Sequence, residues 1–188
     1  KAGDEFLHAA RGRSNQQAVF LDSSGRAYCL PAHSLPSARG VGEPLTSRFT
    51  PAEGGQFLYA IAGEPQQKLV LASSYGYGFV TETANLHSKM KAGKAMLSLP
   101  GDSIPVEPVI IPSEAVLTIV CVTTDGYLLA FPLTELPELS KGKGNKLINI
   151  PPKRLKSGDE HMLGMVVVGE NEEILVYAGQ RYQKKKKK

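Results

Sequence analysis

Apolar positions along this chain fall in short runs that break at turns. The run AVFLDSSGRAYCL at 18–30 carries apolar residues on both sides of a Ser-Ser-Gly turn. KLVLASSYGYGFV at 68–80 and LTIVCVTTDGYLLAF at 117–131 repeat the plan. β-branched and aromatic residues dominate these runs, as a half-buried pleated surface prefers. Asp125-Gly126 is a strong hairpin signal, because such a pair suits a tight two-residue turn. No long stretch keeps a 3.6-residue apolar period, and prolines interrupt the candidates, so the pattern predicts no helix beyond a short turn around ELPEL at 135–139.

The runs recur in register. Turn glycines stand at Gly25, Gly76, Gly126 and Gly179, separated by 51, 50 and 53 residues. Leu35, Leu86 and Leu136 each follow the first three by ten residues, and Phe20, Leu71, Cys121 and Ile174 precede all four by five. Repeats of this length, each reading as four short strands, are the pattern of propeller blades. The expectation is therefore an all-β, propeller-like chain of about three full four-stranded units and an incomplete fourth: about 1–50, 51–101, 102–152 and 153–183. A sandwich of meandering hairpins is the alternative, since strand count alone does not separate the two.

A second element travels with the repeat. LPELSKGKGNKLINI at 136–150 packs Lys141, Lys143 and Lys146 around two glycines and runs into an apolar segment. Weaker copies begin at Leu35 (LPSARGVGEPL) and Leu86 (LHSKMKAGKAMLSL). In each copy Leu is followed four or five residues later by Arg39, Lys91 or Lys141, and six residues further on by Leu45, Leu97 or Leu147. Corresponding loops of successive blades occupy corresponding places around a disc, so bases repeated at this period form a stripe. Duplex DNA carries a phosphate charge every ≈ 1.7 Å of helix axis and suits such a stripe. Glycine lets backbone N–H groups approach phosphate with no Cβ in the way. The candidate DNA-binding residues are Arg39, Lys89, Lys91, Lys94, Lys141, Lys143, Lys146, Lys153 and Arg154, with Lys156 beside them. The plainer reading of the same lysines is a solvated rim.

Overall charge adds little to this picture. The formal net charge is +4, but Lys184–Lys188 supply five of the 22 bases, and without them 17 bases face 18 acids. That terminal run reads as a solvated, disordered or artificial tail. The distribution matters more: bases gather in the repeated loops, and acids lie elsewhere, at Glu170, Glu172 and Glu173. With 188 residues and 41% hydrophobic content the chain can bury one core. It has no uninterrupted apolar stretch long enough to span a membrane. It also lacks the charged-then-apolar order of a secretory signal and opens inside a strand unit, as a piece of a longer protein would. Cys29 and Cys121 sit in strand runs and read as reduced core thiols. His8, His33, His87 and His161 are scattered, so no metal is expected. There is no G-x-S-x-G elbow and no P-loop, and Gly142-Lys143-Gly144 lacks the third glycine of a dinucleotide fingerprint. Tyr75, Tyr77 and Tyr127 read as packing aromatics. The residues describe a binding domain with no catalytic constellation of its own.

Several stretches carry a family resemblance: SNQQAVFLDSSGRAY at 14–28, LPSARGVGEPL at 35–45, YGYGFV at 75–80, KAGKA at 91–95 and above all FPLTELPELSKGKGNKLINIP at 131–151. With these the chain resembles the C-terminal domain of the A subunit of bacterial topoisomerase IV, a relative of the gyrase A C-terminal domain, over nearly its whole length up to about Gly179. The resemblance implies a β-pinwheel, a propeller-like disc whose blades exchange strands and whose rim binds double-stranded DNA. It implies a place in an ATP-dependent type II topoisomerase that decatenates and relaxes DNA in the bacterial cytoplasm, at the nucleoid. The catalytic residues, ATP and Mg²⁺ would belong to other domains, so no cofactor is expected here. Implied partners are the topoisomerase IV B subunit, reached through the rest of the A subunit, and a condensin-like chromosome-structuring protein. A protein-docking propeller is the rival function. Gyrase carries a glutamine- and arginine-rich box for chiral wrapping; its nearest equivalent here, SKGKGNK at 140–146, has no consecutive arginines, and bending or docking of DNA is expected instead.

Overall fold

The computed structural model describes residues 5–37, 39–113, 116–178 and 181–185, the last of these by backbone alone. Its strands are β1 (Gln17–Asp22), β2 (Arg26–Pro31), β3 (Phe57–Ala62), β4 (Lys68–Ala72), β5 (Tyr77–Glu82), β6 (Lys94–Ala95), β7 (Val109–Ile110), β8 (Leu117–Thr123), β9 (Leu128–Pro132), β10 (Asn145–Lys146), β11 (Met162–Gly169), β12 (Ile174–Ala178) and β13 (Arg181–Lys185). They form sheets ordered β3-β1-β2-β6, β10-β5-β4-β7, β11-β8-β9 and β12-β13.

Each of the first two sheets is built from two successive sequence units. The β1–β2 hairpin takes β3 on one side, with Val19 opposite Ile61, and β6 on the other, with Ala27 opposite Lys94. The β4–β5 hairpin likewise takes β7, with Val70 opposite Val109, and β10, with Gly78 opposite Asn145. Sequence repeats and sheets are thus out of phase, because blades exchange strands. Two sheets have four strands, the third has three and the fourth two. Among the described residues the sheet expected to be the third complete one has three strands.

The turn glycines occupy equivalent places. Gly25, Gly76 and Gly126 have φ of 77°, 77° and 84°. Their N–H groups donate to the carbonyls of Asp22, Ser73 and Thr123 at 3.0, 2.8 and 2.9 Å. Thr123 N–H in turn donates to Tyr127 across the loop. No residue other than glycine has positive φ among those described. The Asp125-Gly126 hairpin signal is realised between β8 and β9, whose turn is closed by left-handed Gly126. Gly179 lies outside the described residues. A neighbouring contact repeats as well: Ser23, Ser74 and Thr124 donate N–H to Gln56, Ile104 and His161, and their hydroxyl oxygens accept the N–H of those same residues.

The core lies between the sheets. Val19, Leu21 and Ile61 of the first sheet pack with Leu69, Leu71 and Phe79 of the second. Val70 and Ala72, the alternate residues of β4, pack with Ile119, Cys121 and Met162 of the third. The middle sheet is covered on both faces, so β4 reads as one continuous apolar run. Helices are short: α1 (Thr83–Leu86) and α2 (Pro152–Ser157). The turn expected near ELPEL is a single 3₁₀ turn at Leu133–Glu135. Nothing in the periodicity pointed to α2, which starts with Pro at its first position and ends at left-handed Gly158. Lys184 and Lys185, expected to begin a loose tail, pair with Leu175 and Ile174 in the β12–β13 hairpin. Cys29 and Cys121 are free thiols. No described helix is long and apolar enough to cross a membrane.

Candidate nucleic-acid interface

The basic loops are seated by glycines. Gly42, Gly93 and Gly144 follow one another at 51-residue intervals, with φ of 77°, 69° and 76°. A Cβ on Gly93 would stand 2.6 Å from the Tyr28 ring, and one on Gly144 would stand 1.9 Å from the Gly78 carbonyl oxygen. Gly93 and Gly144 let their loops lie flat against the preceding unit's hairpin, while Gly42 has nothing within 4 Å of its Cβ position. Beyond the loops, Met96 and Leu97 donate N–H to Gly25 O at 3.0 Å, and Leu147 donates to Gly76 O at 2.7 Å. The two loops are also joined to each other: Gly142 N–H donates to Met96 O, and Ser98 N–H donates to Gly142 O, both at 2.9 Å. The approach to the second loop is pinned to β5, where Val80 N–H donates to Pro137 O and Leu139 N–H to Val80 O. Lys68 and Glu138 close the same seam with an ion pair.

The predicted bases divide into three groups. Lys89, Lys91, Lys141, Lys143 and Lys146 are exposed on the two joined loops. Lys94 belongs to the first loop but is half-buried, its Nζ donating to Asn85 O at 2.5 Å. Arg39 is exposed, and Gly42 of its loop has no atom within 4 Å of its Cβ position. Lys153 and Lys156 are exposed on α2. Arg154, on the same helix, is held by the Asp125 carboxylate and lies 3.3 Å from Glu160. The hydrogen bond that Arg154 donates to Asp125 raises its pKa above the ordinary value. Glu160 is 2% exposed and also accepts the Thr123 hydroxyl at 2.8 Å.

Two contacts were not legible as functional signals. Arg26, directly after Gly25, donates Nε and Nη2 to the carbonyls of Ala92 and Gly93, each at 2.8 Å. Tyr77, directly after Gly76, lies beneath the lysines of the next loop: Lys143 Nζ is 4.4 Å and Lys146 Nζ 5.8 Å from its ring centroid. Both residues stand one place after a turn glycine, and that register was the signal that could have found them.

A cleft of about 680 Å³ is bordered by β3, by the segment leading into β7 and by residues 8–13. It adjoins β3, the edge of the first sheet opposite β6. Its polar side chains pair with one another: His8 Nε2 with Glu107 at 3.0 Å, and Arg13 with Glu64 at 3.7 Å. Among the described residues no group of three His, Cys, Asp or Glu side chains is placed to hold a metal.

Four sheets, the first two of them sharing strands between successive sequence units, define a propeller-like all-β domain. Residues 118–168 match the family described as DNA gyrase C-terminal domain, beta-propeller. The fold is similar to the solved E. coli ParC C-terminal domain, with TM-score 0.89 and 41% identity, covering 98% of this chain and 74% of that one. It also shares its fold with the DNA gyrase A C-terminal domain, with TM-score 0.68 and 12% identity over 92% of this chain and 55% of the other. In sequence it is 49% identical to the DNA topoisomerase 4 A subunit of Pseudomonas aeruginosa over 181 residues, which are 96% of this chain and 24% of the relative. The chain belongs to the family of C-terminal domains of the topoisomerase IV A subunit. It spans about a quarter (24%) of the length of the curated relatives it matches.

Proposed function

We propose that this domain captures duplex DNA along the edge formed by its basic loops, without reading base sequence, and bends it. It then presents the segment to a type II topoisomerase core elsewhere in the enzyme, for decatenation and relaxation. ATP, Mg²⁺ and the B subunit work through that core. The observation that carries the reading is the junction of the two loops. Hydrogen bonds between Gly142 and Met96–Ser98 join the loop that carries Lys89 and Lys91 to the loop that carries Lys141, Lys143 and Lys146. Lysines on flexible stems make point-charge contacts to phosphate, which position DNA but carry no sequence information. Lys153 extends the same set of exposed cations from α2, while Arg39 and Arg154 contribute less, one unseated and one already paired.

The test is a salt titration of duplex binding. Replacing Lys141, Lys143 and Lys146 by Ala weakens binding about equally for all sequences. It also flattens the slope of log K against log salt by roughly 0.9 for each phosphate left without its lysine. Unchanged slope and affinity would leave these lysines facing solvent and favour a protein-docking role.

A further inference from the structure

We infer that Tyr77 is a positioning residue of the basic edge, its ring face gathering Lys143 and Lys146 into a paired cation that receives one DNA phosphate. The inference rests on the DNA-edge reading and assigns a role to a residue that makes no phosphate contact itself. Lys143 Nζ stands 4.4 Å and Lys146 Nζ 5.8 Å from the ring centroid, both within the ≈ 6 Å over which the negative face of an aromatic ring attracts a cation. Two ammonium groups sharing a small region repel each other. Attraction of both to one aromatic ring offsets that repulsion without neutralising either charge, which a carboxylate would do. Exposed lysines otherwise sample many rotamers, and restricting them before DNA arrives lowers the ordering loss on binding.

The repeat supplies an internal comparison. In the first sheet the equivalent place holds Arg26, which clamps the loop backbone through the carbonyls of Ala92 and Gly93. Ala92 and Lys143 are 51 residues apart, the same step that separates Gly93 from Gly144. The strand cation and loop alanine of one sheet are thus replaced by a strand tyrosine and a loop lysine in the next. Positive charge is kept at the seam, but in the second sheet it moves outward onto the loop. Tyr127 holds the corresponding place in the third sheet and is 64% exposed.

Three measurements test the assignment. In the wild-type chain, proton NMR should place the Lys143 ε-methylene resonances upfield, under the ring current. Tyr77→Phe should keep that shift and Tyr77→Leu should abolish it. In salt titrations with duplex DNA, Tyr77→Leu should weaken binding about two- to five-fold, the range of an exposed cation–π contact. Tyr77→Phe and Tyr127→Leu should bind as wild type. In a Lys143→Ala/Lys146→Ala background, Tyr77→Leu should have no further effect. A wild-type chain without the upfield shift overturns the inference, and that result does not depend on Tyr77→Leu folding. So does a Tyr77→Leu effect that adds fully to the lysine replacements, which would mark a general structural role. If the lysine replacements weaken binding while Tyr77→Leu does not, the positioning role alone is lost. If the lysine replacements leave binding intact, the DNA-edge reading fails and the positioning role falls with it.

Discussion

Gly144 touches the backbone of Gly78 so closely that a Cβ on it would overlap the Gly78 carbonyl oxygen at 1.9 Å, and its φ is +76°. This contact between two residues lets the KGKGNK loop lie against β5 with its lysines outward. Gly144→Ala should lower stability by more than the ~1–2 kcal/mol of a left-handed alanine, because the backbone must also move. DNA affinity should fall with it as the loop lifts. Gly42→Ala is the control: φ is +77°, nothing lies within 4 Å, and the loss should stay near ~1–2 kcal/mol. Thermal unfolding of the two variants decides the matter, and equal losses would mean that the Gly78 contact yields easily.

Arg154 and its neighbour Lys153 should separate cleanly. Arg154→Ala leaves Glu160, 2% exposed, with the Thr123 hydroxyl but no cation. Breaking a pair around a buried carboxylate destabilises because the charge is left uncompensated. The expected outcome is a lower Tm with little change in the DNA salt slope. Lys153→Ala, on an exposed side chain, should leave Tm unchanged and flatten the slope. The reverse pattern would make Arg154 a phosphate ligand despite its partners.

Stability should decline at alkaline pH. Burial pushes the Cys121 thiol from 9.0 up to about 12. Burial first, and then the hydrogen bond to Asp22, push Tyr28 from 10.0 up to about 12. Both groups have folded values above their unfolded ones. Their contribution is therefore complete below pH 9 and is lost as pH rises toward about 12. The urea midpoint should fall across that window, and Cys121→Ala should make the fall shallower. A midpoint that stays flat from pH 9 upward would contradict the burial argument.

The terminal lysines should matter for affinity but not for mechanism. Replacing Lys184–Lys188 with Gln takes the formal charge from +4 to −1 while leaving the β12–β13 pairing possible. Duplex binding should weaken modestly and keep a salt-dependent remainder carried by the loops. Complete loss of binding in a gel-shift titration would place the DNA contact on the tail.

The repeat in the sequence was enough to determine the strand runs, the all-β class, the equivalent turns at Gly25, Gly76 and Gly126, and the recurrence of a base-bearing loop at one point of each of the first three units. These are local properties. Alternating apolar positions and a glycine at positive φ need no knowledge of distant partners. The partners themselves were decided only in three dimensions. Lys94 pairs with Ala27, and Asn145 with Gly78, across 67 residues in each case. Strand exchange of this kind leaves no mark on a linear period, because shifting a strand to the neighbouring sheet preserves every spacing. For the same reason Arg154 was indistinguishable from Lys153 in the sequence. Asp125 and Glu160 reach it through folding, from 29 residues upstream and from past the end of its own helix. Tyr77 read as a packing aromatic because the lysines above it arrive from the following unit, some 66 residues on, and only the seating of that loop brings their charge over its ring.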